Sequence, residues 1–222
     1  MARSTALPAK PRVLPAAAKA PFLYCALRPL LRAALRRLFD LRIDGLGHLP
    51  APPYIVAANH HNYLDGIVLG VAVPPPIAFL VMPRVYRATP LHPAFHRHIG
   101  SIPVSLERPD VGALRRALEA LDDGRVVGIF PEGPFSVRGQ LERGLPGVAL
   151  LALRSGVPVV PAAIRGTYEA LSGRRFYLPR RYPLGVCFGA PRRFSGPGRA
   201  NDRDARARVT ERVMADIAAL LS

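Results

Sequence analysis

From residue 54 onward, short apolar runs alternate with segments of helical periodicity. The runs at 54–58, 77–81, 102–105, 126–130 and 157–164 stay apolar on both alternating faces. That is the pattern of strands covered on two sides. Between them, 64–73, 110–121 and 148–154 read as helices. In the second, Leu114, Ala117, Leu118 and Leu121 keep three- and four-residue spacing, and Gly124 follows as a stop signal. The third ends at Gly156 in the same way, with Arg154 near its negative terminus. A late strand is expected at 184–188. Val209, Val213, Ile217 and Leu220 then make a closing amphipathic helix entered from Asn201 or Asp202. Strands alternating with helices predict an α/β fold, with a mostly parallel central sheet and helices on both faces.

Ahead of this region the pattern changes. Residues 1–20 mix Ala, Pro, Lys and Arg without period and are expected to form a mobile basic tail. Over 21–42, with Pro29 taken as a helix start, Leu31, Ala34, Leu35, Leu38 and Leu41 fall on one apolar arc. Arg32 and Arg36 flank it, Arg28 lies just before it, and Arg37 sits opposite. This predicts an N-terminal amphipathic helical segment, and two readings of it stand. The helix lies in a membrane interface, leucines in the acyl region and arginines at lipid phosphates. Alternatively it covers the core, its arginine stems packed on the surface. Residues 43–222 carry no internal repeat and no linker, so one domain is expected there, a size that one core can serve.

Composition narrows the class. Half the residues are hydrophobic and 21% are charged, which excludes a disordered chain. Two cysteines, Cys25 and Cys187, make neither a disulfide framework nor a metal quartet. No stretch approaches the ~18 uninterrupted apolar residues of a spanning helix, and no signal-peptide core precedes a small-residue cleavage site. A cytoplasmic protein is therefore expected. Thirty-one basic residues against 15 acidic give a net charge of +16, and all but Lys10 and Lys19 of the basic ones are arginines. Such a field favours an anionic partner: nucleic acid, an anionic membrane surface or a phosphorylated substrate.

Ligands of open α/β sheets bind beyond the carboxyl ends of the strands, so the residues after each run matter most. After 54–58 comes Asn59-His60-His61-Asn62-Tyr63-Leu64-Asp65. Asp65 can fold back onto one ring nitrogen of His60, fixing the tautomer and leaving the other nitrogen to accept a proton. That is a general base with its orienter, without an attached nucleophile. After 126–130 comes Pro131-Glu132-Gly133-Pro134-Phe135-Ser136. Glycine there lets the backbone approach a ligand, and exposed N–H groups would suit an oxyanion or phosphate; a plain turn with a solvated glutamate is the other reading. The stretch from Gly100 to Arg108 ends on an arginine suited to a bidentate grip on phosphate. The block from Val157 to Gly166 is mostly core strand.

Taken together, the content and order of these four blocks resemble the glycerolipid (lysophospholipid) acyltransferase family across residues 40–190. Asn59-His60 through Asp65 matches its His-x-x-x-x-Asp motif. Gly100 through Arg108 is similar to the second motif, Phe130-Pro131-Glu132-Gly133 to the third, and Val157-Pro158-Val159 through Gly166 to the fourth. The resemblance implies that His60 is the general base, that Asp65 orients it, and that the acceptor oxygen attacks the thioester of acyl-CoA or acyl-carrier protein directly. It places the acceptor phosphate at Arg108, Glu132 and Gly133, with Asn59 beside the base. It implies no cofactor beyond the acyl-donor co-substrate.

Departures from the family bear on substrate. The arginine usual two residues after the glycine is replaced by Phe135, and a basic residue expected further on aligns with Leu145. The second motif delivers its arginine late, and Asn62 stands where serine is frequent. Arg138 and Arg143, in the following loop, are candidates to replace the lost phosphate contacts. The expected function is acyl transfer to the free hydroxyl of a lysophospholipid, foremost 1-acylglycerol-3-phosphate. The alternatives are a different lysolipid head group, or a catalytically weakened lipid-binding homologue. Leu64, Ile67, Val68, Phe79 and Val81 are expected to line an acyl groove. The location implied is peripheral, on the cytoplasmic face of the cell membrane.

Other features carry less. His92, His96 and His98 have weak metal spacing with no acidic or thiol partner nearby, so no metal is expected. His61 is expected to support the pocket. Arg174, Arg175, Arg180 and Arg181, interleaved with Phe176, Tyr177 and Tyr182, would suit nucleic acid in isolation; here they are read as a face toward anionic lipid, with no nucleic-acid partner. There is no Gly-x-Ser-x-Gly elbow and no Gly-x-x-x-x-Gly-Lys loop.

Overall fold

The computed structural model describes residues 22–87, 92–105, 110–171, 178–194 and 200–222. Seven strands make one sheet in the order β1-β7-β6-β2-β5-β3-β4. They are β1 (Arg42–Asp44), β2 (Tyr54–Ala58), β3 (Ile77–Val81), β4 (Ile102–Pro103), β5 (Val126–Ile129), β6 (Val159–Arg165) and β7 (Gly185–Phe188). From β6 to β4 every pairing is parallel, β7 runs antiparallel to β6, and β1 follows β7 in parallel. The alternation of strand and helix therefore yields the mostly parallel sheet expected.

The central strand shows why its sequence has no polar side. All five residues of β2 are buried. Ile55 and Ala57 enter one core with α5 (Val111–Asp122) and α6 (Gly147–Ser155), while Tyr54, Val56 and Ala58 enter the other with α2 (Tyr63–Ala72). Closing helix α8 (Arg203–Leu221) covers the first face through Val209, Val213 and Ile217. Its start is capped by Asp202, whose side chain accepts from the Asp204 N–H at 2.9 Å. Helix α5 begins at the Asp110 cap, which accepts from Ala113 and Ser105. Those backbone N–H groups hold the Asp110 carboxyl below its ordinary value. Gly156 ends α6 in the left-handed conformation, as its place in the sequence predicts.

Short elements escaped the pattern: β1, a single 3-10 turn at Leu46–His48, α3 (Pro83–Tyr86), α4 (His92–Ile99) and α7 (Thr167–Leu171). Periodicity needs more residues than these offer. The expected strand over 102–105 pairs only at Ile102–Pro103, where proline brings no N–H to the ladder. The N-terminal helix α1 (Phe22–Phe39) starts earlier than Pro29, which lies inside it. The apolar arc expected there is divided: Leu35 and, just past the helix, Leu41 are buried, whereas Leu31 and Leu38 are exposed. The expected tail over 1–20 lies outside the described residues.

Gly166, at the turn from β6 to α7, is required by geometry. Its φ is +82°, and a Cβ there would sit 1.9 Å from the Pro183 carbonyl oxygen. Gly166→Ala is expected to lower stability by at least about 1–3 kcal/mol from the left-handed backbone alone, with the collision adding to it. Urea unfolding of the two proteins would measure the difference.

Candidate active site

The end of β2 is fastened before the chemistry begins. Asn59 is fully buried, and its amide makes both bonds to one residue of β6: Nδ2 donates to the Ile164 carbonyl at 2.9 Å, and Oδ1 accepts the Ile164 N–H at 2.7 Å. Asn59 thus continues the sheet pairing by side chain and is spent there, which is where its expected role beside the substrate goes. Three residues later, Asn62 caps α2. Its Oδ1 accepts the Leu64 N–H at 3.0 Å, and its Nδ2 donates to the Thr167 carbonyl at 2.7 Å.

Asp65 stands in the first turn of α2 with no exposed surface. Its Oδ2 meets His60 Nδ1 at 2.9 Å and accepts the N–H groups of His61 and Asn62 at 2.5 and 2.7 Å. A helix start is where a carboxylate is best placed. With Nδ1–H donating to that carboxylate, Nε2 carries the lone pair. No partner among the described residues occupies Nε2, and His60 lines a cavity.

The His60 backbone is held as firmly as its ring. Its N–H donates to Glu132 Oε1 at 2.7 Å, and its carbonyl accepts the Ser136 N–H at 2.8 Å. The other Glu132 oxygen accepts the Glu142 N–H at 2.7 Å. Burial pushes the Glu132 carboxyl above its ordinary value, against the lowering effect of those two N–H groups. Glu132 is therefore a brace across the loop after β5. The ring of His60 stacks on Phe130, centroids 3.8 Å apart and planes within 4°. Phe135 meets it edge-on at 4.4 Å and is met in turn by Tyr63.

The cavity beside His60 measures about 550 Å³ and is walled by α1, α2, β3, α3 and α4. Of the residues expected to line an acyl groove, Ile67, Phe79 and Val81 do so. Leu64 and Val68 instead face the sheet and belong to the core. Gly133 lines the cavity, but its N–H donates to the Phe130 carbonyl at 3.0 Å, so it is not an anion donor. His96 and Ser101 are also in the wall, bonded to each other at 3.0 Å.

Other expected site residues fall elsewhere. Arg108 lies outside the described residues, as do Arg174, Arg175, Phe176 and Tyr177. Arg138 and Arg143 are exposed on the loop after β5 and do not line the cavity; Leu145 does. Arg180 donates to the Glu169 carbonyl at 2.7 Å. His61 supports the site from the side, its Nδ1 3.3 Å from Thr167 Oγ1 and its ring against Tyr168. Among the described residues no cluster of three His, Cys, Asp or Glu could hold a metal ion. Sequence reasoning missed the Phe130 stack, the Glu132 brace and the α1 wall. Each depends on how separate segments are juxtaposed, for which a single segment gives no signal.

Known proteins resemble this chain in sequence and fold. The family model described as Acyltransferase matches residues 40–165, more than half the chain. A 1-acyl-sn-glycerol-3-phosphate acyltransferase of Bacillus subtilis is 29% identical over 140 residues, 60% of this chain and 68% of that protein. A chloroplastic protein of the same name from Arabidopsis thaliana, LPAT1, is 29% identical over 133 residues, 58% of this chain but only 37% of that protein. The crystal structure of the 1-acyl-sn-glycerophosphate (LPA) acyltransferase PlsC from Thermotoga maritima superimposes with a TM-score of 0.71 at 24% identity, covering 90% of this chain and 80% of that one. That likeness speaks to the fold. With a family match over residues that include His60, Asp65, Glu132 and Gly133, the chain belongs to the acyltransferase family.

Proposed function

We propose that this protein transfers a fatty acyl group from a thioester, acyl-CoA or acyl-carrier protein, to the free hydroxyl of a lysophospholipid, foremost 1-acylglycerol-3-phosphate, giving phosphatidic acid. The observation that carries the reading is the His60–Asp65 pair, at 2.9 Å, set in the wall of an apolar cavity of about 550 Å³. The names of the Bacillus and Arabidopsis relatives support the acceptor.

The steps proposed are these. The acceptor O–H lies against His60 Nε2, which takes its proton as the oxygen bonds to the thioester carbonyl carbon. Asp65 stabilises the imidazolium that forms. The tetrahedral intermediate collapses with cleavage of the C–S bond, and the Nε2 proton passes to the departing sulfur. The imidazole supplies the base and the thioester supplies the activated acyl group, so the scheme calls on no resident cofactor. Arg138 and Arg143, exposed on the loop after β5, are proposed to meet substrate phosphate, together with Arg108.

No helix among the described residues is long and apolar enough to cross a membrane. We place the protein peripherally on anionic lipid at the cytoplasmic face. The outer side of α1 supports this, combining exposed Phe22 and Leu30 with exposed Arg36 and Arg37. One observation favours a second reading, an acceptor with another head group: Phe135 gives the His60 ring an apolar neighbour at 4.4 Å where the family commonly carries a cation.

The test is a panel. Purified protein is offered lysolipids of several head groups and glycerol-3-phosphate, each with acyl-CoA and acyl-carrier protein, and the products are identified by mass. Thioester consumption that depends on acceptor, strongest with 1-acylglycerol-3-phosphate, is expected. No acceptor-dependent consumption with any pair would refute the enzyme reading and leave a lipid-binding homologue.

A further inference from the structure

Three apolar residues of α1 and α2 both line the cavity and face solvent: Leu27, 50% exposed, Leu31, 43%, and Ile67, 44%; Leu145, 44% exposed, does so from the loop after β5. A wall residue half in water marks an opening, and these three set one between α1 and α2. On the α2 side the wall is Tyr63, Gly66, Ile67, Gly70 and Val71, a single face at three- and four-residue spacing. Gly66 and Gly70 lie inside a ten-residue helix, where each glycine costs roughly 0.5–1 kcal/mol relative to alanine. A Cβ added at either meets nothing within 4 Å. Gly128, by contrast, is small because Ile77 and Phe79 press on it, at 2.5 and 2.6 Å from such a Cβ. The α2 glycines admit no neighbour; they keep space open.

On the α1 side, Tyr24 donates its hydroxyl to the Gly70 carbonyl at 2.7 Å, holding the two helices at a set separation. Arg28 also lines the cavity. Its Nη2 reaches the Ala72 carbonyl only at 3.5 Å, and its buried Nε has no hydrogen-bond partner. The slot thus has apolar walls and an under-used guanidinium at its edge. Helix α1 contains no acidic residue, and around the slot it presents exposed leucines and arginines. Charge and polarity together fit an anionic amphiphile standing in a lipid surface.

We propose that the slot between α1 and α2 is a side mouth through which the acyl tail of the lysolipid acceptor slides from the bilayer to His60, with Gly66 and Gly70 keeping the passage open. This rests on the acyl-transfer reading and adds the route and the residues that set it. A tail that stays in apolar surroundings throughout avoids exposing its methylenes to water, at ~0.8 kcal/mol each.

The full chain on anionic vesicles would be assayed with hexanoyl and palmitoyl lysophosphatidate against a fixed short-chain acyl-CoA, then with hexanoyl and palmitoyl donors against a fixed short-chain acceptor. For Gly66→Leu and Gly70→Leu, the palmitoyl-to-hexanoyl ratio of kcat/KM is expected to fall at least about tenfold in the acceptor series, the scale on which filled apolar space discriminates. The donor series should keep its ratio. A fall confined to the donor series, or no change in either, overturns the proposal. Gly70→Ala provides a milder filling in a better helix former, and it should shift the acceptor ratio in the same direction. Vesicle-free binding of the two lysophosphatidates is a readout without turnover. If the palmitoyl preference in binding is lost in the leucine variants while no thioester is consumed, the slot stands and the acyl-transfer reading fails.

Discussion

Replacing His60 with alanine is expected to lower kcat by about 10²–10⁴-fold, the usual contribution of a positioned general base. Thermal unfolding should stay close to that of the parent chain, because the anchors of this loop are the Asn59 side chain and the His60 backbone, and alanine keeps both. Acceptor-dependent release of free thiol measures the rate. Asp65→Asn should cost as much or more. Oδ2 collects the His60 ring and two backbone N–H groups, and an amide offered there favours the tautomer that puts the proton on Nε2. A His60→Ala preparation that turns over at the parental rate removes the mechanism outright.

The reach of the sequence differs between fold and site for a physical reason. Strands β2, β5 and β6 are apolar on both faces because both faces are covered, so their runs are visible one residue at a time. The same holds for Asp110, Asp202 and Gly156, whose roles are local to three or four residues of backbone. His60 and Asp65 are also a local pair, joined within the first turn of α2. Phe130 is not. It stacks on His60 because β2 and β5 pair in register, Ala57 beside Ile129, which brings the two strand ends level. Asn59 looked like a ligand residue in sequence, and only the placement of β6 shows that both ends of its amide are used on Ile164. Likewise the early start of α1 hides behind Pro29, which reads as a helix start and in fact sits inside one.

Glu132→Ala is the variant expected to couple stability to activity most strongly. Each carboxylate oxygen of Glu132 takes a backbone N–H, one from His60 and one from Glu142. Alanine leaves both donors without a partner, at about 1–3 kcal/mol for each one that stays buried. The His60 loop then loses one of its two backbone clamps, and a displacement of roughly 1 Å costs about 10²-fold in rate. Glu132→Gln separates the two roles. Its amide oxygen still accepts the His60 N–H, so much of the rate should return, while the bond to Glu142 is lost. The pH dependence of unfolding supplies the sign. Burial raises the Glu132 carboxyl in the folded protein, so its favourable contribution is fully present below the unfolded value and declines as pH rises through the folded one. Glutamine does not titrate. The stability of the parent chain relative to Glu132→Gln should therefore fall with rising pH across that interval, measured by urea unfolding at a series of pH values. A difference that stays flat, or grows in favour of glutamate, would show that the two N–H bonds outweigh burial and that the brace is held by charge.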